Sequence, residues 1–313
     1  MRAIACAGVL TSRTIPRARP ARRVLLAYSP APGLLSLART SPNPAAMANG
    51  TSSSSPHQAV IGSLFRCYDE LSLAAFRTIR AEAKPDGTTI TRVDREVSRI
   101  VIEALKQHTP QYGIISEEEP APYRPEADWQ WVIDPLDGTA AFARGYPIWG
   151  LGIGLMRRGE PLEGYVRFPV LSESYSFDGQ TLCLNGQPVP PIEKDSLPDT
   201  RNYLIDSSLH KRISTFATFK DAKLRVFGSN LFHMVSLAMG RAEAMICGRV
   251  YLWDLAAALP MTRARGFTER YVDGSPFLLD EINREANFRI RAPLILSTPA
   301  RIEVLVGALR PVL

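Results

Sequence analysis

Trp129-Gln-Trp-Val-Ile-Asp134-Pro-Leu-Asp137-Gly-Thr139 carries the decisive pattern of this chain. Its opening run of aromatic and β-branched residues has the composition of a buried strand. Pro135 has no N–H to give a central ladder, so the strand is expected to stop there. Gly138 permits a tight turn and leaves its own N–H open to a ligand. Ala140-Ala-Phe142 then begins a helix. Two carboxylates three residues apart are thus brought to the mouth of a buried strand, a costly arrangement without a cation between them. Acidic groups beside a helix start suit a divalent cation that in turn holds a phosphate.

Outward from this stretch, apolar spacing predicts a long amphipathic helix over about 59–83 and a second over about 93–108. Lys84-Pro-Asp-Gly-Thr-Thr89 between them reads as a loop. Tyr112-Gly-Ile-Ile115 is a short apolar strand ending in Ser116-Glu117-Glu118-Glu119. Further strands are expected near 129–134, 150–156, 162–168, 172–177 and 181–184, with Asn185-Gly186 as a tight turn. A helix over 229–241, a strand at 244–247, a helix from Asp254 to Arg265, a strand at 293–297 and a helix over about 299–309 complete the chain. Helices and strands alternate in clusters rather than as strict βαβ units, which predicts layered mixed α and β. There is no internal repeat.

Each acidic candidate lies at an element boundary and has a second reading. Thr91-Arg-Val-Asp94 is a capping-box pattern, so Asp94 reads as a cap or as a site residue. Glu118 and Glu119 suit a solvated loop, whereas Glu117 leaves an apolar strand directly. Asp254 reads as the N-cap of its own helix or as a ligand, and Thr139 as a plain N-cap or a site hydroxyl. The Asp134/Asp137 pair has no comparable structural reading. Haloacid-dehalogenase-type phosphatases place Asp-x-Asp-x-Thr at a strand end. The spacing here is one residue longer, which argues against a phospho-aspartate mechanism.

The composition, 45% hydrophobic and 22% charged, is that of an ordinary globular protein, and no apolar stretch approaches membrane-helix length. The four cysteines form no CxxC pair, so carboxylates would have to supply any metal site, which favours Mg²⁺, Mn²⁺ or Ca²⁺. The net charge of +6 is a property of one segment. Residues 1–58 hold seven arginines and no acid; the other 30 basic residues face 31 acidic ones. A nucleic-acid partner therefore loses its support. The segment 1–58 is too rich in Pro, Ser, Ala and Arg to fold. It reads as a transit peptide, a solvated extension, or sequence upstream of a true start at Met47. The expected domain is 59–313, located in the cytoplasm, or in a mitochondrion or plastid if 1–58 is a transit peptide.

Taken together, these residues resemble the inositol monophosphatase family, magnesium-dependent and typically lithium-sensitive phosphatases, over about residues 60–300. Lys84-Pro-Asp-Gly-Thr with Thr91-x-x-Asp94 looks like the family's mobile loop. Ile115-Ser-Glu117-Glu118 looks like its Gly-Glu-Glu motif, with Ser116 for glycine. Trp131 to Thr139 matches the signature. Arg225-Val-Phe-Gly-Ser229, Gly240 and Trp253-Asp-Leu-Ala-Ala257 match the C-terminal signature. The resemblance turns Asp94 and Asp254 into site residues first.

It implies a five-layer αβαβα sandwich of the sugar-phosphatase kind, two or three Mg²⁺ ions, and a small phosphorylated metabolite as partner. It also allows a homodimer. The implied mechanism is in-line attack of a metal-activated water on a phosphomonoester, inositol phosphate by default. Histidinol phosphate, a sugar phosphate or a 3′-phosphonucleotide are alternatives, as is an inactive phosphometabolite-binding homologue. Glu117, Asp134 and the Leu136 carbonyl would hold one ion, and Asp134, Asp137 and Asp254 another. Glu117 and Thr139, the latter positioned by Asp94, would orient and deprotonate the water. Gly138 and Thr139 would receive the phosphate, and Asp137 and Asp254 the substrate hydroxyls. Ala141 and Cys247 stand where inositol-hydrolysing members usually carry Asn and an acid. Tyr175-Ser-Phe-Asp-Gly-Gln180 lacks the usual Gly-x-Gly-Ala, which marks a divergent member.

Overall fold

The computed structural model describes residues 55–85, 87–119, 127–192, 201–209, 219, 222–284 and 288–311. Most of the segment 1–58, and Asp86 of the Lys84 loop, lie outside them. The chain opens with α1 (Gln58–Ala75), a short hairpin of β1 (Glu82–Ala83) and β2 (Thr89–Ile90), and α2 (Arg92–His108). Then follow β3 (Gly113–Ser116), β4 (Trp129–Asp137), α3 (Thr139–Ala143), β5 (Gly150–Arg157), β6 (Glu160–Phe168), β7 (Glu173–Phe177), β8 (Leu182–Leu184) and β9 (Gln187–Pro188). The second half holds β10 (Arg201–Ile205), β11 (Ala222–Arg225), α4 (Asn230–Ala238), β12 (Ala244–Cys247), α5 (Leu252–Ala256), α6 (Leu259–Ala264), β13 (Thr268–Tyr271), α7 (Leu279–Arg284), β14 (Leu294–Ser297) and α8 (Pro299–Leu309).

Strands β3 to β9 form one sheet in chain order, with only β3 and β4 parallel. The other sheet has the order β11-β10-β12-β14-β13 and is mixed, β10 running parallel to both of its neighbours. Alternation along the strands divides the apolar residues among three cores. Trp131, Ile133, Leu151, Ile153 and Leu155 pack with α1 and α2 on the outer face of the larger sheet. Val132, Met156, Val166 and Phe168 face inward with α4, α5 and α6, and Leu204, Met245, Leu294 and Leu296 meet that layer from the smaller sheet. Tyr203, Ile205, Ile246 and Ile295 lie beneath α8. Helix, sheet, helix, sheet, helix: the αβαβα sandwich follows from these cores, as expected.

Close approach in the middle layer depends on missing side chains. Gly152 and Gly154 on β5 and Gly164 on β6 turn bare backbone towards α5 and α6. A Cβ on Gly154 would lie 2.6 Å from the Ala256 carbonyl carbon, and one on Gly164 only 1.8 Å from Ala257 O. The small residues of α5 therefore sit directly on the sheet, and Asp254 comes with them.

Several boundaries differ from expectation. α1 ends at Ala75 rather than near residue 83, because Arg77 adopts a left-handed φ of 66° and Phe76 turns onto Phe142 and Trp149. The single helix expected from Asp254 is two short ones, α5 and α6, separated at Ala257 and Ala258, with Pro260 in the first turn of α6. β10, β11, β13 and the β1–β2 hairpin were not anticipated. β11 and β13 are mostly half-exposed or exposed edges and lack an apolar stripe. Residues 55–57 are docked: Ser55 donates to Glu163 Oε2 at 2.9 Å, and His57 Nδ1 lies 3.0 Å from His108 Nε2.

Candidate active site and metal centre

Pro135 does not stop β4; it bulges it. Asp134 pairs with Gly152 and Asp137 with Gly150, so three steps along β4 oppose two along β5. The proline falls inside the bulge, where no ladder N–H is required. The extra residue has a geometric consequence. In a regular strand residues three apart point to opposite faces, whereas the bulge returns Asp137 to the face of Asp134. Gly138 then takes φ 82° and caps α3, so the chain turns at once into Thr139.

On the inward face these two carboxylates meet Asp254. Oxygens of Asp134, Asp137 and Asp254 lie within 4.8 Å of one another, a metal-sized cluster among the described residues. They are 1%, 5% and 9% exposed. Asp254 is not the N-cap of α5 but sits in its first turn, accepting the Tyr251 N–H at 2.7 Å. Asp134 Oδ1 accepts the Leu136 N–H at 3.1 Å. Asp137 is held by the start of α4: it accepts from Asn230 N at 3.1 Å, Leu231 N at 3.2 Å and the Ser229 hydroxyl. Sequence reasoning missed these three holders, although Gly228-Ser229 was in view as a motif.

Asp94 and Thr139 form a second group. Thr139 Oγ1 lies 2.8 Å from both Asp94 Oδ1 and the Leu136 carbonyl. Asp94 also accepts from Thr91 N at 2.8 Å and Thr91 Oγ1 at 2.5 Å. The capping and site readings of Asp94 are therefore compatible: one carboxylate closes α2 and fixes the Thr139 hydroxyl. Glu117 is not within the aspartate cluster. Lys84 Nζ bridges it at 2.9 Å and Glu118 at 2.7 Å, so Glu118 is not merely solvated. Ser116, which replaces a motif glycine, is buried against Ser98 with 2.8 Å between hydroxyl oxygens.

The charges here oppose one another. Burial first, and then Glu117, Asp137 and Asp254, hold the Asp134 carboxyl well above its usual range. Burial followed by Asp137 does the same to Asp254. Burial pushes Asp137 up to about 7 against the lowering effect of Ser229, Asn230 and Leu231. Glu117 is likewise raised to about 7 by burial, with Lys84 opposing. Burial would lower Lys84, yet Glu117 and Glu118 hold its ammonium above its ordinary value. A set of crowded, buried carboxylate oxygens is the donor set of a hard divalent cation, and it fits Mg²⁺.

Comparison with known proteins agrees with this chemistry. A histidinol-phosphatase of Chlorobaculum parvum is 30% identical over 199 residues, covering 61% of this chain and 75% of that protein. The inositol-1-monophosphatase ImpA of Mycolicibacterium smegmatis is 29% identical over 222 residues, covering 66% and 79%. A solved IMPase/NADP phosphatase complexed with Mg²⁺ and phosphate superposes with a TM-score of 0.68 at 19% identity, over 80% of this chain and 94% of that one. The inositol monophosphatase family profile matches residues 58–297, the span that carries the bulged strand, its aspartates and the layers that bring them together. By fold, motif order and sequence alike, this chain belongs to the inositol monophosphatase family.

Proposed function

We propose that the protein hydrolyses the phosphomonoester of a small alcohol, with Mg²⁺ held by Asp134, Asp137 and Asp254 and completed by Glu117 and the Leu136 carbonyl. The observation that carries this reading is the buried trio with its oxygens within 4.8 Å. Two or three such ions, when bound, neutralise phosphate charge and acidify water.

The chain's own residues do the rest. The single Thr139 hydrogen goes to Asp94 or to the Leu136 carbonyl, which leaves oxygen lone pairs to accept from the attacking water. Asp94, fastened by Thr91, sets the direction of that hydroxyl and receives the proton it passes on. Glu117 is the second acceptor for that water. Gly138 and Thr139 present backbone N–H groups to the phosphate. Asp137 and Asp254 also face the hydroxyls of the leaving group.

Phosphate release from a panel of phosphomonoesters, with and without Mg²⁺ and with added Li⁺, tests this. The expected result is Mg²⁺-dependent release that Asp134→Asn lowers by roughly 100-fold or more. If the folded protein releases phosphate from none of them, it is a phosphometabolite-binding homologue instead. Among the described residues no helix is long and apolar enough to cross a membrane. We place the protein in the cytoplasm, or in an organelle if residues 1–58 act as a transit peptide.

A further inference from the structure

Two turns of backbone meet beside Asp137, and one side chain holds the second of them. The first turn is the corner at Gly138. The second, Val226-Phe227-Gly228, leads β11 into α4 and delivers the Ser229 hydroxyl to Asp137. Gly228 takes φ 79°, and a Cβ built on Gly138 would lie 3.4 Å from its carbonyl oxygen, so the turns are close neighbours. Burial does little to fix the second turn, because Val226 is 54% exposed and Phe227 38%. A hydrogen bond does more. The Phe227 N–H donates to Nε2 of His233 at 3.1 Å. His233 lies in the first turn of α4, fully buried, with its ring 5.9 Å from that of Phe227. Its own backbone N–H donates to the Ser229 carbonyl at 3.2 Å. One residue therefore holds the chain on both sides of Gly228.

The same bond fixes where the ring carries its proton. A nitrogen that accepts a backbone N–H has no hydrogen of its own, so the neutral ring is protonated at Nδ1. Burial, with Asp206 opposing, holds His233 down to about 4 against an ordinary 6.5, so the ring is neutral at pH 7. Nδ1 is buried and finds no partner among the described residues. A buried donor without a partner destabilises the fold, and leucine, of similar size, would avoid that cost. What leucine lacks is an acceptor for the Phe227 N–H. The imidazole weakens the core around it and supplies in return a fixed turn beside Asp137.

We infer that His233 is a positioning residue for the metal site: its Nε2 fixes the Phe227–Gly228 turn and, through Ser229, sets the Asp137 carboxylate. This rests on the phosphatase reading above. His233→Leu removes the acceptor, and His233→Gln restores one at a similar reach. Calorimetric Mg²⁺ affinity should fall by about tenfold in His233→Leu and return to within about threefold of the unmutated value in His233→Gln. A histidine that merely fills the core would show no such rescue. Unchanged affinity in His233→Leu, or an equal loss in both variants, overturns the inference. Should His233→Leu fail to fold, nitrogen NMR of the unmutated protein decides: a neutral ring protonated at Nδ1 supports the assignment, and one protonated at Nε2 overturns it. If the unmutated protein binds no Mg²⁺, the phosphatase reading and this inference fall together. Binding that His233→Leu leaves unaltered fells this inference alone.

Discussion

The phosphate end and the leaving-group end proposed for this site are built by different means. At the phosphate end, a proline bulge, a left-handed glycine and a first-turn threonine lie within six consecutive residues, and local backbone geometry brings Asp134, Asp137 and Thr139 to one corner before Asp94 and the start of α4 fix their side chains. At the proposed leaving-group end, Asp254 arrives on a helix more than a hundred residues later, and its position depends on bare glycine backbone in β5 and β6. Chemistry common to many phosphomonoesters can be written into one short segment. On the proposed reading, choice among alcohols is left to long-range packing, where substitutions at a few positions would change it.

If that contrast is right, the two ends should fail differently. The largest effect is expected from Gly164→Ala. Its new Cβ would overlap Ala257 O at 1.8 Å, so the α5–α6 connection must move off the sheet. Overpacking at this severity is expected to cost about 3 kcal/mol or more, read as a fall in the denaturant midpoint together with weakened Mg²⁺ binding. Unchanged stability would break the claim that bare backbone positions Asp254. A milder effect is expected from Ser229→Ala, which removes one of three donors to Asp137 and leaves β4 untouched. Mg²⁺ affinity should fall by about tenfold by calorimetry, with the fold kept. No change would mean that Asp137 is set by the bulge alone.

The smallest effect belongs to a region outside both ends and serves as a control. His57, buried beside His108 and Trp131, is held down to about 4 by burial and then by His108, against an ordinary 6.5. The folded state therefore prefers the neutral ring. This contribution is full above pH 6.5 and is lost as pH falls from there towards about 4. Thermal unfolding should show about 1 kcal/mol lost by pH 5.5, and His57→Gln should flatten that limb. Equal pH dependence in the variant would remove His57 as its source.

How much could be read in advance follows the same division. The Asp134–Thr139 corner and the layered architecture were legible, because strand composition, turn residues and the clustering of elements are signals in the sequence itself, whereas the pairing of Asp94 with Thr139, 45 positions apart, came only with the family resemblance. The consequence of Pro135 was not legible: its missing N–H suggests an end, and only the partner strand turns that end into a bulge. Nor could Lys84 on Glu117 and Glu118, or Ser229 on Asp137, be foreseen, since each joins residues more than thirty positions apart. The contacts of Tyr251 with Trp253 and Arg249 carry no sequence signal either and are visible only in three dimensions.

The central claim is that the buried aspartates form one cation site. Calorimetric titration of Mg²⁺ into the unmutated protein and into Asp134→Asn tests it most directly. Saturable binding that Asp134→Asn weakens by roughly 100-fold or abolishes, with the variant still folded, is the predicted result. Equal Mg²⁺ affinity in the two proteins would contradict it.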